Sequence, residues 1–144
     1  ILKIQKSLPH LTLAGDEYNE PGQDIALTGF PIGAVLGLYP ATHAGVIAGL
    51  TPDSTPARSS DQLTQTIIER LSQTFLVYQL DATAYPGNSG SPLYLQDSGE
   101  VIGIINKVFV KEGKESALTD PSGITYAIPI RHLKRLAKKH EIVW

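Results

Sequence analysis

The 144-residue chain has 42% hydrophobic residues, 13 glycines, 10 prolines and no cysteine, which rules out disulfides, cysteine–zinc sites and a thiol nucleophile together. Twelve basic against fourteen acidic residues leave a formal charge of −2, so no global field favours nucleic acid. No apolar run is long enough to span a membrane, and the length allows one domain with a workable core, rich in turns.

In chain order, Ile1-Leu2-Lys3-Ile4 reads as a strand. Residues 5–23, with Pro9, Gly15, Pro21 and Gly22, read as a connector. From Asp24 the alternation predicts short strands at 25–30, 35–39 and 43–50. Thr51-Pro52-Asp53-Ser54-Thr55-Pro56 breaks that pattern. Ser59 with Gln62 makes a capping-box candidate, and Leu63, Ile67 and Leu71 follow at helical spacing, so a helix is predicted over 60–71. A strand at 75–80 comes next. Strands at 92–96 and 100–110 are joined through Gly99 as a hairpin. Residues 111–122 read as a polar loop, 124–129 as the last strand and 131–139 as a helix with Leu133, Leu136 and Ala137 as its apolar stripe. The fold class is all-β: a six-stranded antiparallel Greek-key barrel with a C-terminal helix and one inserted helix.

Between the strands at 75–80 and 92–96 stands Gly87-Asn88-Ser89-Gly90-Ser91-Pro92. A serine hydroxyl acts as a nucleophile only where the oxyanion it creates is stabilised. Gly87 lets the backbone bend so that its own N–H and that of Ser89 serve one small space. A plain Gly/Ser/Asn/Pro turn is the competing reading. The nucleophile elbow of α/β-hydrolases needs a helix after the serine, whereas Pro92-Leu93-Tyr94-Leu95 reads as a strand.

The flanks, Asp81-Ala82-Thr83-Ala84-Tyr85-Pro86 before the motif and Leu93-Tyr94-Leu95 after it, make this stretch similar to the nucleophile loop of trypsin-like serine peptidases. The form it resembles is bacterial and disulfide-free, HtrA-like or glutamyl-endopeptidase-like. Gly29-Phe30-Pro31-Ile32-Gly33 resembles a turn early in their second barrel, and Ala44-Gly45-Val46-Ile47-Ala48 the strand after it. Val101-Ile102-Gly103-Ile104 resembles the strand behind the nucleophile, and Gly123 to Pro129 the end of the domain. Ile1 to Ile4 looks like the strand that follows the catalytic aspartate.

The resemblance implies a Ser-His-Asp endopeptidase of chymotrypsin fold. Residues 1–23 would be the end of a first barrel plus the connector, and residues 24–144 the C-terminal barrel. Ser89 would be the nucleophile, with the Gly87 and Ser89 N–H groups as the oxyanion hole. Histidine and aspartate would come from sequence upstream of Ile1, so the chain alone is expected to be inactive and to need the N-terminal half as partner. Among its own histidines, His43 is placed on a strand away from the nucleophile, His10 on the connector, and His132 and His140 at the terminal helix. No cofactor, metal, nucleic acid or membrane insertion is expected; the other partner is a protein or peptide substrate, and the location periplasmic or secreted.

By the same resemblance the substrate pocket has three walls: Thr83, Ala84, Tyr85 and Pro86; Ile105, Asn106, Lys107 and Val108; and Gly123, Ile124 and Thr125. Trypsin has an aspartate six positions before its nucleophile, where Thr83 stands here. Glutamyl endopeptidases of staphylococcal type have a histidine at the place of Ile105 and a threonine at that of Ala84. A neutral pocket for a small or medium apolar side chain follows. Asp81 is expected to accept backbone hydrogen bonds in the loop. Arg131, Lys134, Arg135, Lys138 and Lys139 read as a solvated helix face. A catalytically degenerate peptide-binding or scaffolding module of the same fold is the alternative.

Overall fold

The computed structural model describes residues 8–32, 37–53, 74–108 and 124–142. Six strands, β1 (Asp24–Gly29), β2 (Ala41–Pro52), β3 (Leu76–Asp81), β4 (Pro92–Leu95), β5 (Val101–Val108) and β6 (Ile124–Pro129), are followed by helix α1 (Ile130–Lys139). They close into a barrel in the order β1-β2-β3-β6-β5-β4, every pairing antiparallel. Each strand therefore has two neighbours and no open edge is left along the sheet. The barrel is filled by one contiguous cluster that includes Ile25, Leu27, Ile47, Tyr78, Leu80, Leu93, Ile102 and Ile105. These are the inward positions of half-buried strands, branched or aromatic as pleated surfaces favour.

The strand expected at 35–39 is not formed in its described part. Gly37 has φ +84°, a left-handed conformation that no strand continues, and the ring of Tyr39 packs against it. The chain enters β2 only at Ala41, after Pro40, and stays in it to Pro52 past a register shift between Ile47 and Gly49. The predicted helix over 60–71, the strand 1–4 and the loop 111–122 lie outside the described residues.

Helix α1 buries Ile130 and Ala137, while Leu136, assigned to its apolar stripe, is 44% exposed. Its basic face is not wholly solvated either. Lys134 donates to the Ala14 carbonyl and lies 3.4 Å from Asp16, and the Arg131 guanidinium sits 4.6 Å from the centre of the Tyr18 ring. Tyr18 meets Tyr78 edge-on at 6.4 Å, and the Asn19 N–H donates to the Tyr78 hydroxyl at 3.0 Å. Two cations of the helix thus fasten the connector to the barrel, while Arg135, Lys138 and Lys139 face solvent. The connector also joins the sheet directly, with Ala14 N–H donating to the Val101 carbonyl at 3.0 Å and Val101 N–H to that of Thr12 at 2.8 Å.

His132 packs on Phe75 with ring centres 4.5 Å apart. Burial pushes its pKa below the ordinary histidine value, and Arg135 and Arg131 push the same way. The unfolded chain therefore takes up this proton at pH values where the folded chain still refuses it. Stability from this group is complete above the ordinary value and is lost as the pH falls from there to the folded value. His132→Phe keeps a ring against Phe75 and removes the titration. The drop in urea midpoint between about pH 8 and about pH 5 should be smaller in the variant than in the parent; equal drops would reject this assignment.

Candidate active site

Between the end of β3 at Asp81 and the start of β4 at Pro92, the chain crosses one end of the barrel, resting on several elements in turn. At Gly45 of β2 there is no room for a Cβ, which would collide with the Asp81 carbonyl and lie 2.6 Å from the Ala82 Cβ. The fully buried Thr125 of β6 donates from Oγ1 to the Ala82 carbonyl at 2.8 Å. The His43 ring of β2 packs on the Tyr85 ring at 5.6 Å, tilted by 50°. Ile32 N–H donates to the Pro86 carbonyl at 2.8 Å. Gly90 N–H donates to the Ile105 carbonyl at 2.7 Å, and Ile105 N–H to that of Ser91 at 2.9 Å. Strands from both flanks of the barrel therefore hold this loop, and its shape is not left to local propensity.

Within the loop, Asn88 N–H donates to the Tyr85 carbonyl and Ser91 N–H to the Asn88 carbonyl, both at 3.0 Å. This tight path needs Gly87 at φ +102° and Gly90 at φ +90°, conformations costly for any residue with a Cβ. At Gly87 a Cβ would also stand 2.7 Å from the Phe30 carbonyl oxygen. The result is that Ser89 is exposed while Asn88 before it is fully buried. Ser89 Oγ donates to the Asn106 carbonyl at 3.2 Å. Among the described residues, the N–H groups of Gly87 and Ser89 have no hydrogen-bond acceptor, and neither polar atom of the Asn88 side chain has a partner.

The residues expected as pocket walls fall at the same end of the barrel in different states. Thr83 and Tyr85 are half-buried, Ala84 is buried and Pro86 is exposed. Ile105 belongs to the core cluster, so it offers this end of the barrel only backbone. Asn106 is exposed and lies at the register shift between Ile105 and Lys107, which turns its carbonyl toward Ser89. Lys107 and Val108 pair with Tyr126 and Thr125. Ile124, paired with Asp81, is 37% exposed, while the Thr125 hydroxyl is already committed to Ala82. Gly123 lies outside the described residues.

One expectation needs correction. The Asp81 side chain was expected to serve the loop, yet Asp81 is exposed and its carboxylate accepts no hydrogen bond among the described residues. His43, placed by the sequence on a strand away from the nucleophile, packs its ring on Tyr85, four positions before Ser89. His43, Gly45 and Ile47 are more buried than Thr42 and Ala44, the alternation of one inward strand face. Among the described residues no group of three His, Asp or Glu side chains could hold a metal ion, and no helix is long and apolar enough to cross a membrane.

A closed antiparallel barrel presenting an exposed serine on a glycine-flanked loop is the arrangement of a peptidase domain of the chymotrypsin fold. The model of the trypsin-like peptidase domain matches residues 1–104, and the chain belongs to that family. It is 32% identical over 131 residues, 90% of its length, to the Halomonas elongata protein named "Probable periplasmic serine endoprotease DegP-like". It is 33% identical over 101 residues, 70% of its length, to Protease Do-like 1, chloroplastic, of Arabidopsis thaliana. The chain spans 22% and 19% of those two relatives. A solved HtrA-type protease, an AlgW variant with a decapeptide, is similar with a TM-score of 0.63 at 25% identity, over 96% of this chain and 35% of that one.

Proposed function

We propose that the chain carries the nucleophile half of an HtrA-like serine endopeptidase. Ser89 Oγ attacks a peptide carbonyl carbon as its proton passes to a histidine, held by an aspartate, both supplied from outside these 144 residues. The carbonyl oxygen becomes an oxyanion that accepts hydrogen bonds from the Gly87 and Ser89 N–H groups. Collapse of this intermediate expels the amine, which takes the proton from the histidine and leaves an acyl-serine for water to hydrolyse. The observation that carries the reading is the pairing of an exposed Ser89 with two neighbouring N–H groups that have no other acceptor among the described residues. An outside base is supported by two of the described histidines being engaged with other rings, His43 with Tyr85 and His132 with Phe75, and by Ser89 Oγ having the Asn106 carbonyl as its partner.

The substrate is a protein or peptide with a small or medium apolar residue before the cut. Thr83, Ala84 and the Ile105 backbone bring no charge to the pocket, and an unpaired charge buried there costs several kcal/mol. An apolar side chain gains about 25 cal/mol for each Å² removed from water. A periplasmic location accords with the name of the Halomonas relative. Profiling a peptide library with the full-length protein tests both levels. Cleavage after Ala, Val or Leu is expected; dominant cleavage after Arg, Lys or Glu would reject the pocket, and no cleavage of any peptide would reject the peptidase reading.

A further inference from the structure

We infer that His43 is a positioning residue for Ser89, acting through Tyr85; this rests on the peptidase reading above. The loop before Ser89 is fixed at Ala82 by Thr125 and at Pro86 by Ile32. Between these two points the Tyr85 ring packs on that of His43. The Tyr85 carbonyl accepts the Asn88 N–H, and the Asn88 carbonyl accepts the Ser91 N–H. A rotation at Tyr85 therefore passes through this turn to the residues on both sides of Ser89.

His43 is suited to hold that position because its own strand is held. It stands opposite Leu27, a fully buried core residue, in the β1–β2 register. The Nε2 atom of His43 is buried and has no hydrogen-bond partner among the described residues. What the side chain gives Tyr85 is therefore a ring face, within the separation at which aromatic rings attract. That makes a sharp demand on substitutions: another flat ring should serve, and a small side chain should not.

In the full-length protease, His43→Ala should lower kcat by about ten- to a hundredfold, the loss expected when a reacting group is slightly misplaced, and leave KM within about twofold. His43→Phe should restore kcat to within about threefold of the parent, and Thr42→Ala, on the opposite strand face, should leave it unchanged. Hydrogen exchange of the same proteins gives a readout independent of turnover. The Asn88 and Ser91 amides should exchange faster in His43→Ala and at the parent rate in His43→Phe. If His43→Ala does not fold, Tyr85→Leu removes the ring pair from the other side and should speed the same two amides. Unchanged kcat and exchange in His43→Ala, a loss confined to KM, or failure of His43→Phe to restore kcat would each overturn the inference. Full activity in Ser89→Ala would instead overturn the peptidase reading, and the exchange rates would still report on His43.

Discussion

On the proposed peptidase reading, Ser89→Ala in the full-length protein should lower kcat by about 10⁶, the order seen when a serine nucleophile is deleted from a Ser-His-Asp triad. What survives, about 10³–10⁴ over the uncatalysed reaction, would come from the oxyanion-stabilising amides and from substrate binding. The substitution is clean because Ser89 is exposed and, among the described residues, its hydroxyl has one hydrogen bond, to the Asn106 carbonyl. The turn around it is made by main-chain bonds of Tyr85, Asn88 and Ser91 and by the conformations of Gly87 and Gly90, none of which alanine disturbs. Stability should therefore stay within about 0.5 kcal/mol, as for other surface substitutions. Hydrolysis of a peptide ester by parent and variant, with thermal unfolding of each as control, measures both. A fall of less than about a hundredfold with an intact fold would mean that another group is the nucleophile.

The same site shows what the chain reveals about itself and what it withholds. The β1, β3 and β6 strands are legible because branched and aromatic residues alternate between turn signals, and these strands agree with the barrel to within a residue or so. The loop that carries Ser89 is legible because Gly87 and Gly90 stand where the main chain must take positive φ. Tertiary contacts are not written in that way. That the Thr125 hydroxyl is committed to the Ala82 carbonyl follows from the β3–β6 register, which no local pattern fixes. Arg131 and Lys134 look like any solvated helix face until the connector passes beneath them. In the described part of the strand expected at 35–39, Gly37 takes φ +84°, which the apolar pattern does not announce. Ile105 reads as a pocket residue by position, but the pleat turns its side chain into the core.

The second large effect lies at Gly29, the last residue of β1, paired with Ala41. A Cβ there would collide with Ser91 Oγ and stand 2.8 Å from Asn88 Oδ1 and 3.3 Å from Ser91 Cβ. Neither neighbour yields easily: Asn88 is fully buried and Ser91 nearly so. Ser91 is also tied through its N–H to the Asn88 carbonyl and through its carbonyl to the Ile105 N–H. Gly29→Ala should thus cost about 1–3 kcal/mol as overpacking. The strain falls on the residues next to Ser89, so kcat of the full-length protease should fall by up to about a hundredfold. Ser91→Gly removes two of the three crowding atoms and leaves Asn88 Oδ1. In the double variant most of the stability should return, with a coupling of at least about 1 kcal/mol, while kcat recovers only in part. Urea unfolding of the four proteins of this cycle gives the coupling. Strictly additive effects, or a Gly29→Ala protein as stable and active as the parent, would show that β1 and the Ser89 loop are not packed as described.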